Sequence, residues 1–169
     1  MLIESSVAGV QVLTDRNNGF RAGLAAGCPN LKITEPRYNN NDINTAASQV
    51  NDAITANPNL VGIFAANNTS GNGAARAIKD NNAAEKIPVV AFDTDPQEVA
   101  ALSDGSLDAL VVQNPYFFGY QGVIEAAAAT VGTAAPPNLD PGAVVADKAN
   151  MNEPSVKQLL TPPTAKAEK

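Results

Sequence analysis

Five polar stretches, each following a short apolar run, define the chemistry open to this chain: Thr14-Asp15-Arg16-Asn17, Tyr38-Asn39-Asn40-Asn41, Ala66-Asn67-Asn68-Thr69, Asp93-Thr94-Asp95 and Gln113-Asn114. Carboxylates accept hydrogen bonds from neighbouring hydroxyls, carboxamides both donate and accept, and the planar guanidinium of Arg16 offers paired donors to adjacent oxygens. Gathered on one rim, these groups suit a neutral, polyhydroxylated ligand. Turn formation or helix capping is the alternative role for any single one of them, because short polar side chains bond readily to nearby backbone. An Arg, an Asp and a Gln occurring together favour binding for the set as a whole.

Covalent chemistry finds little support. The chain has no histidine, the commonest general acid/base near neutral pH, and a single cysteine, Cys28. One cysteine excludes an internal disulfide, and the usual soft ligands for zinc are lacking. Cys28 is expected to pack as a small, half-buried residue near a helix end. Gly71-Asn72-Gly73 opens a helix but lacks the third glycine of a dinucleotide fingerprint, so close helix packing is its expected role. Asp42 and Asn44 resemble the opening of a calcium loop without its glycine or its distal glutamate. Asp93 and Asp95 leave a strand at alternate positions, which tend to point apart, and one of them is expected to cap a helix. No catalytic residue, metal or cofactor is therefore expected.

The net charge of −6, with 11 basic residues in no cluster, gives no footprint for nucleic acid. No apolar run reaches 18 residues, so no direct membrane insertion is expected. Met1-Leu2-Ile3-Glu4-Ser5-Ser6 lacks the basic start and long apolar run of a secretory signal.

Positioning the polar stretches on one rim requires a particular framework. Leu2-Ile3, Leu31-Lys32-Ile33-Thr34, Val61-Gly62-Ile63-Phe64-Ala65, Pro88-Val89-Val90-Ala91-Phe92 and Leu107-Asp108-Ala109-Leu110-Val111-Val112 read as strands, and Ala143-Val144-Val145-Ala146 as a further one. Between them Ile43, Ala46, Ala47, Val50, Ala53 and Ile54 make one apolar stripe of a helix, with Asp42 placed to cap it. Further helices are expected over about 14–26, 71–81, 96–102, 116–131 and 154–160. Alternating strands and helices with right-handed crossovers predict an α/β fold, a doubly wound, mainly parallel sheet with helices on both faces. Ligands bind outside the carboxyl ends of such strands, which is where the polar stretches fall. Residues 161–169 carry too little apolar surface to order and are expected to form a loose tail.

Taken together, Asp15-Arg16-Asn17-Asn18-Gly19-Phe20, Gly62-Ile63-Phe64-Ala65-Ala66-Asn67-Asn68, Ile87-Pro88-Val89-Val90-Ala91-Phe92-Asp93 and Ala109-Leu110-Val111-Val112-Gln113-Asn114-Pro115 resemble the type I periplasmic binding proteins of sugar ABC transporters, especially the ribose-type group. The resemblance covers about residues 1–160 and corresponds to the carboxy-terminal lobe. It implies that Arg16, Asn67, Asp93 and Gln113 hydrogen-bond a monosaccharide or polyol, with Asp15 and Asn41 as further candidate contacts. Asn68 stands where the family often has Asp. Asn41 falls near a position where some ribose-type members present an aromatic to the sugar. Residues 1–113 would form the lobe, and 114–160 the hinge crossing, a helix and a returning strand. The resemblance further implies an amino-terminal lobe and a membrane permease as partners, a periplasmic location, and lobe closure over the ligand. On this expectation the chain is a truncated single lobe with half a ligand site. Its helix near 116–131, without the other lobe, is expected to expose Tyr116, Phe117, Phe118 and Tyr120 and to pair the isolated chain as a homodimer. Two alternatives stay open: the effector-binding domain of a sugar-responsive transcription regulator, and an orphan fragment that binds nothing.

Overall fold

The computed structural model describes residues 1–136 and 138–162. In chain order its elements are β1 (Leu2–Ser5), α1 (Gln11–Gly27), β2 (Arg37–Tyr38), α2 (Ile43–Ala56), β3 (Ile63–Ala65), α3 (Asn68–Asp80), β4 (Val89–Phe92), α4 (Pro96–Asp104), β5 (Ala109–Val112), α5 (Pro115–Thr130), β6 (Val144–Asp147) and α6 (Pro154–Leu160). The strands form one sheet in the order β2-β1-β3-β4-β5-β6. All neighbours run parallel except β6, which returns antiparallel to β5. This is the expected α/β sheet, mainly parallel and doubly wound. From β1 the chain moves outward to β2 on one side and then to β3 on the other, so the β1/β3 boundary is the point where a crevice opens at the strand ends.

Both faces of β1 and β3 are covered, whereas β4 and β5 bury only alternate residues and leave Val90, Phe92, Ala109 and Val111 half-buried. Leu2, Ile63, Val89, Ala91, Leu110 and Val112 point into the larger core with residues of α2, α3, α4 and α6. Ile3 and Phe64 point the other way, against Leu13 and Phe20 of α1. Each such Leu, Ile or Phe contributes about 1.5–3 kcal/mol by leaving water. The side chain of Asp42 accepts from Thr45 N at 2.7 Å and caps α2 as expected. Close helix packing explains the two glycines of α3. A β-carbon on Gly73 would stand 2.9 Å from the backbone N of Ala47, and one on Gly71 would stand 2.8 Å from the β-carbon of Ala91.

Three expectations need correction. Residues 31–34 are not a strand; β2 forms only at Arg37–Tyr38, paired with Glu4 and Ser5. Thr34 N does reach Met1 O at 3.0 Å, but Pro36 has no N–H to carry the ladder forward, and regular pairing begins after it. Cys28 is exposed at the carboxyl end of α1, not half-buried. Helix α3 begins three residues early because the Asn67 side chain caps it, and α1 also begins three residues early, at Gln11, without a side-chain cap.

Helix α5 buries none of its residues. Tyr116, Tyr120 and Val123 are 61%, 60% and 72% exposed, and Phe118 and Ile124 are also exposed, whereas Phe117 is half-buried. Among the described residues no helix is long and apolar enough to cross a membrane. The expected loose tail falls almost wholly on 163–169, outside the described residues.

Candidate ligand-binding site

The polar residues singled out in the sequence reach the rim by different routes. Arg16 does not follow β1 in a loop; it sits in the second turn of α1 and leans over the strand ends. Its guanidinium donates from one terminal nitrogen to the Ala66 carbonyl at 2.8 Å and lies 4.1 Å from the ring centre of Phe92. Phe92 rests on Phe64 edge to face, 5.9 Å between centres, and Phe64 stacks on Phe20 at 4.4 Å. The cation is thus held by an aromatic platform that α1, β3 and β4 build together. Burial lowers the pKa of Arg16 from its ordinary value, and the negative charge of Asp93 partly opposes this.

Asp93 continues β4 by one residue, its N–H bonding to Val111 O at 3.1 Å, and then turns with φ +81°. Asp is among the few residues that adopt this left-handed conformation at small cost. The turn brings Asp93 Oδ1 to Nε2 of Gln113, which donates to it at 2.7 Å across the ends of β4 and β5. Arg16, Asp93 and Gln113 are therefore one electrostatic group.

Asn67 follows β3 and belongs to a second group. Its Oδ1 accepts from Ser70 N at 3.3 Å and from Ser70 Oγ at 2.6 Å, and its Nδ2 donates to Asn41 Oδ1 at 3.2 Å. Asn41, with φ +61°, also accepts from Thr69 Oγ1 at 2.8 Å. Ala66, whose carbonyl holds Arg16, immediately precedes Asn67 and joins the two groups. Arg16, Asn67, Asp93 and Gln113 all remain partly exposed, so they form an open ledge at the carboxyl ends of the sheet. Asp15 is not drawn into it by any bond; exposed on α1, it accepts from Gln11 Nε2 one helical turn away at 2.7 Å.

Capping, the alternative role considered for these stretches, accounts for several of them. Asn114 caps α5 through Phe117 N. Asp95 caps α4, accepting from Gln97 N and Glu98 N, both at 2.9 Å, and Glu98 returns the bond to Asp95 N. Asp95 Oδ2 also accepts from Asn72 at 2.7 Å and from Asn68 at 3.4 Å. Asp93 and Asp95 thus do separate work, as their spacing implied. Glu98 is fully buried, and burial followed by the charges of Asp95 and Asp93 pushes its pKa up to about 9. Glu4, buried in β1, is pushed up to about 7 by burial, against the lowering effects of its bond to Asn39 and of Arg37.

Sequence reasoning did not single out Phe92 and Phe20, which support Arg16, nor Glu4, Asn39 and Ser70, which lie beneath Asn67. Asn39 was visible inside a polar stretch. The bonds that define its place run to residues 35 and 31 positions away, and no local pattern encodes them.

Residues 1–134 match the family described as periplasmic binding protein domain. The chain is similar to the ribose import binding protein RbsB of Salmonella typhimurium, 31% identical over 117 residues, which are 69% of this chain and 38% of that protein. It therefore spans well under half the length of the curated relatives it matches. Among solved structures it resembles a carbohydrate transporter solute-binding protein from Agrobacterium radiobacter in complex with D-arabinose, with a TM-score of 0.90 and 34% identity, covering 94% of this chain and 54% of that one. An ABC transporter solute-binding protein from Agrobacterium vitis bound with alpha-D-tagatopyranose gives a TM-score of 0.88 at 34% identity, covering 94% of this chain and 53% of that one. A family match over most of the chain, and a fold shared across nearly all of it, lead to one conclusion: the chain belongs to the periplasmic binding protein domain family.

Proposed function

We propose that this chain is one lobe of the sugar-binding component of an ABC transporter, and that Arg16, Asn67, Asp93 and Gln113 are its share of a monosaccharide or polyol site. The observation that carries the reading is the convergence of these four residues, from α1 and the ends of β3, β4 and β5, on one open ledge with both donors and acceptors to offer. A charged ligand would meet either Arg16 or Asp93 with the wrong sign; a neutral ligand with adjacent hydroxyls satisfies both. Asn41 borders the ledge through Asn67 and is a further contact, and Asp15 reaches it only by leaving Gln11. Binding proceeds by hydrogen bonding, with no covalent step.

Residues 1–113 form the ligand-bearing lobe, and 114–160 cross a hinge, make α5 and return as β6. The absence of buried residues in α5, together with relatives about twice as long, supports a second lobe as the cover for that helix in the whole protein. That protein would work in the periplasm and deliver its ligand to a membrane permease. An isolated lobe lacks the contacts and the exclusion of water that closure supplies, so its affinity is expected near millimolar, about 4 kcal/mol of binding.

The test is a titration of the 15N-labelled chain with D-ribose, D-arabinose, D-tagatose and neutral polyols, following backbone amide shifts. Saturable shifts confined to the surroundings of Arg16, Asn67, Asp93 and Gln113 are expected for at least one sugar. A well-dispersed spectrum that none of them moves at high millimolar concentration overturns the reading.

A further inference from the structure

Asn39 and Ser70 lie under the ledge and are wholly buried. Backbone N–H groups can only donate, and two of them decide how the side-chain amides around these residues are turned. Asn41 N donates to Asn39 Oδ1 at 2.9 Å, so the carbonyl of Asn39 faces Asn41 and its NH2 must face the other way. Both of those protons are used, one on Glu4 Oε1 and one on Ser70 Oγ, each at 2.9 Å. Having accepted from Asn39, the Ser70 hydroxyl sends its own proton to Asn67 Oδ1 at 2.6 Å. Ser70 N, the second fixed donor, points at the same oxygen from 3.3 Å. The oxygen of Asn67 is thereby occupied twice from inside the protein, and its NH2 lies on the exposed side, towards Asn41 Oδ1.

We infer that Asn39 and Ser70 are positioning residues, which lock the Asn67 carboxamide with its oxygen inward and its NH2 outward, so that this point of the ledge serves a ligand only as a hydrogen-bond donor. The inference rests on the sugar-site reading for its functional meaning, but the orientation it states does not depend on any ligand. A free carboxamide can flip to suit either a donating or an accepting group and discriminates poorly between them. A locked one requires an acceptor oxygen at that position and leaves a donating group there unpaired, which is the stronger form of rejection. Asn39 makes the lock directional, because with Ser70 Oγ already accepting, that hydroxyl has no reason to turn its proton away from Asn67.

The orientation is read first, in the ligand-free wild-type chain, from nuclear Overhauser contacts of the Asn67 side-chain NH2. Stronger contacts to the side chains of Asn41 and Thr69 than to the β-protons of Ser70 are expected; the reverse pattern overturns the inference whether or not a sugar binds. Ser70→Ala removes the hydroxyl and leaves only the longer bond from Ser70 N, so the preference should weaken without reversing, whereas Ser70→Thr, which keeps the hydroxyl, should retain the wild-type pattern. For a sugar that binds the wild type, Ser70→Ala should weaken affinity about tenfold, the loss expected when one hydrogen bond is no longer held in place, and Ser70→Thr should restore it. Asn67 contacts that do not change in a folded Ser70→Ala chain overturn the role of Ser70. If no sugar binds the wild type, the sugar-site reading fails by itself, and the Overhauser contacts still decide the orientation.

Discussion

Gln113 donates from Nε2 to Asp93 Oδ1 at 2.7 Å, tying the end of β5 to the end of β4 between residues 20 positions apart. That bond leaves the other carboxylate oxygen of Asp93 and the side-chain carbonyl of Gln113 able to accept, and the Asp93 charge acts on the Arg16 guanidinium. The ledge therefore offers acceptors from Asp93 and Gln113, a fixed cation from Arg16 and the amide of Asn67.

Asp93→Asn is expected to keep the fold, since Asn tolerates the φ of +81° as well as Asp does. It removes a charged acceptor, so on the proposed reading of the site sugar binding should weaken by about 1.5–3 kcal/mol. Asp93→Ala should additionally lower stability by about 1 kcal/mol, because a β-branched or alkyl side chain gains no local hydrogen bond in the left-handed region. Calorimetric titration and thermal melts of both variants separate the two effects.

The buried carboxyls make stability depend on pH in a direction opposite to the usual carboxylate. Glu98 titrates near 4.5 when unfolded and at about 9 in the fold, so the folded chain holds its proton more tightly. Stability from the neutral form is complete below pH 4.5 and declines as pH rises towards 9. Glu4 adds a decline of the same sign between 4.5 and about 7. Asp42 and Asp104, whose pKa values are lowered, act the other way, and their contribution is lost only below about pH 4. Melting temperature should therefore fall from pH 5 to pH 9, and Glu98→Gln should flatten that fall. A wild-type melting temperature that rises over this range contradicts the assignment.

Helix α5 should drive self-association when the chain stands alone, through Tyr116, Tyr120, Val123 and Ile124 on its exposed face. Light scattering is expected to show a mass above the monomer at micromolar concentrations, and Val123→Glu should return it to monomer. A clean monomer for the wild type across that range refutes this.

Gly73→Ala should destabilise the chain by about 1–3 kcal/mol, the typical cost of overpacking. The added methyl meets Ala46, the Ala47 backbone at 2.9 Å and the Ile43 carbonyl at 3.0 Å, none of which is a flexible side-chain end. Urea denaturation at constant m-value measures it. Gly19→Ala in α1, where a β-carbon would meet nothing within 4 Å, is the matched control and should be neutral or slightly stabilising.

Much of this protein was legible along the chain. The alternation of short apolar runs with the Ile43-to-Ile54 stripe implied a mainly parallel α/β sheet, because side-chain periodicity reports which faces an element must bury. The polar stretches after the strands could be located for the same reason: in such a sheet all the carboxyl ends of the parallel strands lie on one side. The strand expected at 31–34 went wrong over backbone pairing, which depends on the partner strand and on the missing N–H of Pro36, and apolar content does not report either.

What only the tertiary structure decided is how those residues are held. Side-chain types alone established that donors and acceptors were available; they did not establish which were already used. Whether Asp95 binds or caps, whether Arg16 stands free or lies on Phe92, and which way Asn67 turns all follow from bonds and contacts between residues far apart in sequence. Hydrophobic periodicity is a local property of a helix or strand. The direction of a hydrogen bond is set by every partner around it, and only the folded chain brings Glu4, Asn39, Ser70 and Asn67 within reach of one another.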